Sequence, residues 1–385
     1  MPGRLKIPTT LLPRDGRFGS GPSRVRDEQV EALVAAQPGV LGTSHRQAPV
    51  KNTVGDIRAM LAEFFRLPDG YEVLLGNGGS ILFFDAAAYG LIRKRAQNCV
   101  FGEFGAKFAQ AAAAPHLEAP SVVEAEPGSV AFPTPEEGVD VYAWPHNETS
   151  TGAMAPVVRP DGIGDALVVV DATSAAGGAA VDVAQTDVYF FAPQKSFASD
   201  GGLWFALASP AAVARIEEVA ASGRYIPAGL SLKHALDNSR LDQTLNTPAI
   251  ATLVLMRAQL EWLLAGGGLE FAAGRSKESS DRLYAWADDR PFTEAFVTNP
   301  SYRSTVVGTV DLVGVDSDVL RKVLRDNGIV DVDPYRKLGR NQIRVGMYPA
   351  TDPDDVSALT ASIDWVVEHL GEEGSGGEGR GETAP

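Results

Sequence analysis

An α/β fold with a mainly parallel sheet covered by helices is what this sequence predicts, and two observations predict it. Between about residues 71 and 210, short apolar runs alternate with helical stretches, the pattern of strands joined by crossover helices. The runs are nearly continuous in Val, Leu, Phe and Tyr, as strands buried on both faces are. Two of these runs lead into chemically useful residues, Asp171 and Lys195. Ligands of such sheets collect at the carboxyl ends of the strands.

The elements follow in order. Residues 1–20 are expected to form an extended arm. Gly21-Pro22-Ser23 opens a helix that runs through Asp27 and Glu28 to Leu33, with its acids near the start, where the helix dipole favours them. Val54, Ile57, Leu61, Phe64 and Phe65 recur at helical spacing and predict an amphipathic helix over 53–66. Strands are predicted at 71–75, 98–101, 139–144, 167–170, 188–191 and 203–207. The segment 210–240 is helical, then loop-rich. An apolar helix over 248–264 stops at Gly266-Gly267-Gly268. Beyond it the texture is that of a smaller α/β unit, with strands at 306–313 and 342–345 and helices at 317–327 and 353–370. Asp352 can cap the last helix, and Pro353 suits its first position. The expected organisation is an arm over 1–20, a large domain over 21–265, a small C-terminal domain over 266–370 and a Gly/Glu-rich disordered tail over 371–385.

The chemistry starts from Asp171 and Lys195. Either alone would be ordinary: lysines after strands are commonly solvated, and aspartates there often cap helices. Delivered together at the ends of two buried strands, they suggest a pyridoxal phosphate site. The lysine amine would form a Schiff base with the cofactor aldehyde, and the carboxylate would pair with the pyridine nitrogen. Gly76-Asn77-Gly78-Gly79-Ser80 lies between a strand and a helix start, where bare backbone N–H groups can hold a phosphate. The polar run His146-Asn147-Glu148-Thr149 follows another strand to the same sheet edge, so that Thr149 or His146 could contact a cofactor ring.

Composition narrows the partners. The 385 residues carry a net charge of −15, which repels nucleic acid at long range. A single cysteine, Cys99, excludes an intrachain disulfide and a cysteine-rich metal site, and the five histidines show no metal-ligand spacing. No metal is expected. The first 22 residues lack an apolar secretory core. The apolar stretch 250–264 is broken by Arg257, Gln259 and Glu261, so it is expected to be a buried helix and not a membrane span. A cytoplasmic protein is expected.

These residues resemble the class V, fold-type I pyridoxal phosphate aminotransferases, and within them the phosphoserine aminotransferase family. The resemblance covers about residues 18–370. It rests on Phe18-Gly19-Ser20-Gly21-Pro22, Ser44-His45-Arg46, Asn147-Glu148-Thr149 with Gly152, Gln194-Lys195 and Ile343-Arg344-Val345-Gly346. It implies a large domain built on a mainly parallel, seven-stranded-type sheet and a smaller C-terminal domain. It implies that Lys195 is the Schiff-base lysine and proton-transfer base, and that Asp171 is the pyridinium partner. Thr149 would bond the phenolic oxygen. Gly79 and Ser80, helped by Gln194, would bind the phosphate, and Phe104 would stack on the ring. Asn246 and Thr247 would reach the cofactor of the neighbouring subunit in a homodimer. Arg344 would bind the substrate carboxylate, and His45 and Arg46 the phosphate of phosphoserine or the side-chain carboxylate of glutamate.

The implied reaction moves the amino group of L-glutamate to 3-phosphohydroxypyruvate, with 4-phosphohydroxy-L-threonine left open as a second substrate. The sequence departs from the family in two places. Its glycine loop is not Gly-Gly-Gly-Arg-Gly-like, and Tyr335-Arg336-Lys337-Leu338-Gly339-Arg340 contains no histidine. Arg336, Lys337 and Arg340 are the candidate substitutes for the missing phosphate grip. Two alternatives stay open: another class V enzyme, such as an alanine– or serine–glyoxylate aminotransferase, and a non-enzymatic homologue that only binds the cofactor.

Overall fold

The computed structural model describes residues 5–375, with side chains over 5–370. Most of the expected disordered tail, and the first residues of the arm, lie outside the described residues. The described part of the arm runs along the small C-terminal unit: Ile7 and Phe18 are buried in that unit's core, and the Phe18 carbonyl accepts from Gly346 N–H at 2.8 Å.

Helices α1 (Asp27–Ala36) and α2 (Ala48–Phe64) lead into strand β1 (Glu72–Asn77). Helix α1 starts at Asp27, later than predicted. Ser23 is used instead to tie the chain to the lysine loop: its N–H donates to the Gln194 carbonyl at 2.8 Å and its hydroxyl to the Lys195 carbonyl at 2.5 Å. Next come α3 (Ser80–Gly90), β2 (Ala96–Val100), α4 (Glu103–Ala112), β3 (Ser121–Glu124) and β4 (Val141–Pro145). A small hairpin of β5 (Asn147–Glu148) and β6 (Ala153–Met154) precedes β7 (Leu167–Asp171), β8 (Val188–Phe191) and β9 (Leu203–Ala208).

Seven of these strands form one sheet in the order β1-β9-β8-β7-β4-β2-β3. The β2–β3, β2–β4, β4–β7 and β7–β8 pairings are parallel, while β9 is antiparallel to both β1 and β8. The 192–202 loop that carries Lys195 holds no helix, and so short a link returns the chain antiparallel instead of crossing over. Alternation within each strand feeds two cores. Val168, Val170, Tyr189 and Phe191 face one side, and Leu167, Val169, Val188 and Phe190 the other. That double burial is why the runs are apolar throughout.

Helices α5 (Pro210–Ala221), α6 (Leu232–Ser239) and α7 (Ile250–Gly266) complete the large unit's cover. Helix α7 ends where the sequence says it must: Gly267 and Gly268 take φ of 122° and 71°, a region that favours glycine. A long helix, α8 (Leu269–Asp289), leads to the second sheet of β10 (Thr293–Ala295), β11 (Val307–Leu312) and β12 (Gln342–Gly346), with α9 (Ser317–Asp326) between β11 and β12 and α10 (Pro353–Ser375) closing the chain. Asp352 does cap α10, accepting from Asp354 N–H at 2.9 Å. Among the described residues no helix is long and apolar enough to cross a membrane.

Candidate active site

Strands β7 and β8 are parallel neighbours, with Asp171 in register with Phe190. Asp171 therefore ends β7 at the sheet edge where the loop after β8 delivers Lys195. Both side chains are buried, and both line one cavity of about 300 Å³. Gly79, Ser80, Phe104, Thr149 and Gln194 line the same cavity, so seven of the residues singled out in the sequence meet there.

Burial pushes the Asp171 carboxyl up to about 6, against two hydrogen bonds from Thr173 that pull it down. Thr173 N–H donates to Asp171 Oδ1 at 2.9 Å, and the Thr173 hydroxyl donates to the same oxygen. A carboxylate this desolvated calls for a cationic partner in the cavity. Burial and the nearby Arg344 charge bring the Lys195 amine down to about 8, against the pull of Asp171 and Glu148. Lys195 Nζ donates to the Ser20 carbonyl at 2.6 Å, an oxygen that also accepts from the Tyr348 hydroxyl at 2.8 Å. The segment from Phe18 to Pro22 thus roofs the lysine. Gly21 has φ 138°, and a Cβ there would sit 1.9 Å from Lys195 Nζ, so only glycine leaves the amine room.

The cavity's polar wall is prepared for a ligand with an anionic end. Helix α3 opens at Gly79 with no side-chain cap, which leaves its first N–H groups available. The Ser80 hydroxyl, which can donate, is buried without a partner; Gln194 Oε1 is also unpartnered, but as an amide oxygen it only accepts, so it is the Gln194 Nε2 that suits an anion. The Thr149 hydroxyl donates to Ser174 Oγ at 2.8 Å, and Asn147 Nδ2 donates to the same Ser174 oxygen at 2.8 Å. An anion cradle and a desolvated carboxylate lining one cavity fit pyridoxal phosphate, whose phosphate and ring nitrogen carry the matching charges.

Arg344, on β12, reaches the site from the small unit. Its Nη1 donates to the Thr149 carbonyl at 3.1 Å, its guanidinium lies 5.4 Å from the Tyr335 ring centroid, and its Nε is buried without a partner. Arg336, Lys337 and Arg340 differ among themselves. Arg340 is held by both oxygens of Asp311, and Lys337 is paired with Glu103. Arg336 is exposed and makes no ion pair among the described residues.

Four expected residues are not brought to this cavity. The Thr247 hydroxyl lies 3.2 Å from His45 Nδ1, Asn77 Nδ2 donates to the Thr247 carbonyl at 3.0 Å, and Asn246 N–H donates to Asn77 Oδ1 at 3.4 Å. Arg46 is exposed and donates to Gln243 Oε1 at 3.0 Å. His45, Arg46, Asn246 and Thr247 form a group of their own beyond the end of β1. His146 is also absent from the cavity wall: it is buried 3.0 Å from the Tyr189 hydroxyl, and burial brings its imidazole down to about 4.

Sequence reasoning assigned no role to Thr173, Ser174, Glu148 or Tyr335. A threonine two residues after an aspartate is a local turn signal and could have flagged Thr173. The others act on residues distant in the chain, and no local pattern marks them.

Comparison with known proteins gives a consistent result. The chain matches the family model Aminotransferase class-V over residues 22–359. It is 60% identical over 368 residues to a putative phosphoserine aminotransferase of Mycobacterium leprae, covering 95% of this chain and 98% of that one. It is 59% identical over 374 residues to a phosphoserine aminotransferase of Nocardioides sp., covering 96% and 100%. Among solved structures, a phosphoserine aminotransferase from Cytophaga hutchinsonii superposes with a TM-score of 0.83 at 20% identity, over 91% of this chain and 99% of that one. That likeness establishes the fold-type I architecture.

Proposed function

The chain belongs to the class-V aminotransferase family, and from that premise we propose that it is a pyridoxal phosphate-dependent phosphoserine aminotransferase. It passes the amino group of L-glutamate to 3-phosphohydroxypyruvate, giving 2-oxoglutarate and O-phospho-L-serine, a step of serine biosynthesis. 4-Phosphohydroxy-L-threonine, of pyridoxine biosynthesis, is a second candidate substrate. The observation that carries the reading is one cavity holding a buried lysine brought down to about 8 and a buried carboxylate pushed up to about 6.

Pyridoxal phosphate, when bound, supplies an electrophilic carbon for the amino group and a ring that withdraws electrons from the substrate carbon. Gly79, Ser80 and Gln194 would bind its phosphate, Thr149 would orient the ring, and Phe104 would cover one face. Asp171 would pair with the ring nitrogen and favour its protonated form by its charge. Lys195 would take the proton from the substrate Cα onto its own amine and hold it for return. Its lowered pKa leaves a useful fraction of free amine near neutrality. Arg344 grips the α-carboxylate, which its planar fork suits.

The protein acts as a homodimer in this proposal. His45, Arg46, Asn246 and Thr247 lie together and away from their own chain's cavity, as residues that serve a neighbouring subunit's site would. Arg336 is the first candidate substitute for the missing histidine-bearing phosphate grip, since Lys337 is paired with Glu103 and Arg340 with Asp311. Comparing phosphoserine with 2-oxoglutarate against alanine or serine with glyoxylate tests the assignment. Faster turnover of the glyoxylate pairs would replace it with the other class V activity, and no turnover with any donor would leave a cofactor-binding homologue.

A further inference from the structure

Helix α4 begins beside the cavity and has nothing of its own to begin with. Its cap position is Gly102, which has no side chain to satisfy the first N–H groups. Those groups are satisfied from across the fold. Glu148, fully buried on β5, accepts from Phe104 N–H at 3.0 Å and Gly105 N–H at 3.0 Å through Oε2. Its Oε1 accepts from Ser150 N–H at 3.2 Å and from the Ser150 hydroxyl at 2.6 Å, and Ser150 Oγ accepts from Glu103 N–H at 3.1 Å. Glycine at 102 follows from this arrangement. A Cβ there would meet Glu148 Cγ at 2.3 Å and Ser150 Oγ at 2.6 Å.

The turn held this way carries two contacts of the site. Phe104 lines the cavity and lies 6.3 Å from Tyr335, which in turn faces Arg344. Glu103 pairs with Lys337 on the same 335–338 turn. We propose that Glu148 is a positioning residue: a helix cap supplied from β5 that fixes the first turn of α4, and with it the aromatic wall over the cofactor and the contact to the substrate-side loop. The cofactor part of this statement rests on the functional reading above, whereas the cap does not. The carboxylate also lies where the α4 dipole favours negative charge.

The test is a set of single and combined substitutions in the full-length protein. Glu148→Ala should speed hydrogen exchange of the 103–105 amides in cofactor-stripped protein by about ten- to a hundredfold, the loss expected when buried donors lose their acceptors. It should weaken pyridoxal phosphate binding by about three- to tenfold, the scale of one misplaced aromatic contact. Gly102→Ser alone should be harmful, because its Cβ collides with Glu148. Gly102→Ser in a Glu148→Ala, Ser150→Ala background, where both side-chain groups its Cβ would meet are gone, should restore protection and cofactor affinity, because serine then caps α4 locally.

Unchanged exchange in Glu148→Ala would overturn the cap. Faster exchange with unaltered cofactor affinity and unaltered kcat and KM would overturn the positioning role. If Glu148→Ala does not accumulate as folded protein, recovery by Gly102→Ser together with Ser150→Ala supports the cap, and failure to recover counts against it. Absence of pyridoxal phosphate binding by the parent protein would sink the functional reading, while the exchange data would still judge the cap.

Discussion

Replacing Asp171 with Asn should stabilise the cofactor-free protein while destroying its function. Burial holds the Asp171 carboxyl at about 6 in the folded chain, against an ordinary value of 3.8. A raised acid binds its proton more tightly folded than unfolded. Its charge therefore costs nothing well below pH 4, and the cost grows as pH rises through the window from about 4 to 6. The shift of roughly two units corresponds to about 3 kcal/mol above pH 7. Asparagine carries no charge, and its Oδ1 can keep the two hydrogen bonds from Thr173. Denaturant unfolding of stripped parent and Asp171→Asn protein, at one protein concentration, should show the variant more stable by about 3 kcal/mol at pH 8, with the gap closing below about 1 kcal/mol near pH 4. Saturating pyridoxal phosphate should shrink the gap at pH 8, because the ring nitrogen then compensates the parent's carboxylate. A gap independent of pH, or a variant less stable at pH 8, would refute the claim that Asp171 is held in a cavity that demands a cation.

Lys195→Ala should lose covalent cofactor attachment. Borohydride reduction followed by mass spectrometry should find the cofactor on Lys195 in the parent and nowhere in the variant, whose turnover should fall to background. Arg344→Gln removes a charge that lowers the Lys195 pKa, so the alkaline rise of the rate should move to higher pH. KM for glutamate should rise about ten- to a hundredfold for the lost carboxylate grip. Arg46→Ala should lower kcat/KM for phosphoserine more than for alanine, by roughly ten- to a hundredfold for a lost charge-assisted contact. An equal fall for both substrates would give Arg46 a role in the fold or the dimer and direct the search to Arg336 and Lys337.

The fold was legible where burial is two-sided. Every residue of β4, β7, β8 and β9 is buried, and such strands show as unbroken apolar runs whatever their neighbours. Strand β3 was missed because it lies at the sheet edge with alternately exposed residues, which gives four residues too little pattern to stand out. Helix α8 was missed for a different reason. Between the buried Ala272 and the buried Leu283, Tyr284, Trp286 and Ala287 it buries Ser276, Ser279 and Ser280, so its core stripe is interrupted by polar residues over its middle turns. The reversed direction of β9 could not be read from its sequence, since burial pattern carries no information on strand polarity.

The same division runs through the site. Asp171 and Lys195 could be paired from sequence because each follows a recognisable strand, and parallel neighbours bring their ends to one edge. What tunes them is non-local. The carbonyl that holds the Lys195 amine is 175 residues away, and the carboxylate that caps α4 is 44 residues from Phe104. A backbone carbonyl has no residue identity to read, and Glu148 looks like any polar loop residue until the sheet sets it against Gly102. Gly21 and Gly102 are therefore the better sequence clues to this site. Each is a glycine because a buried side chain, Lys195 or Glu148, occupies the space where its Cβ would be. A substitution at either glycine should perturb its distant partner before it perturbs the local backbone.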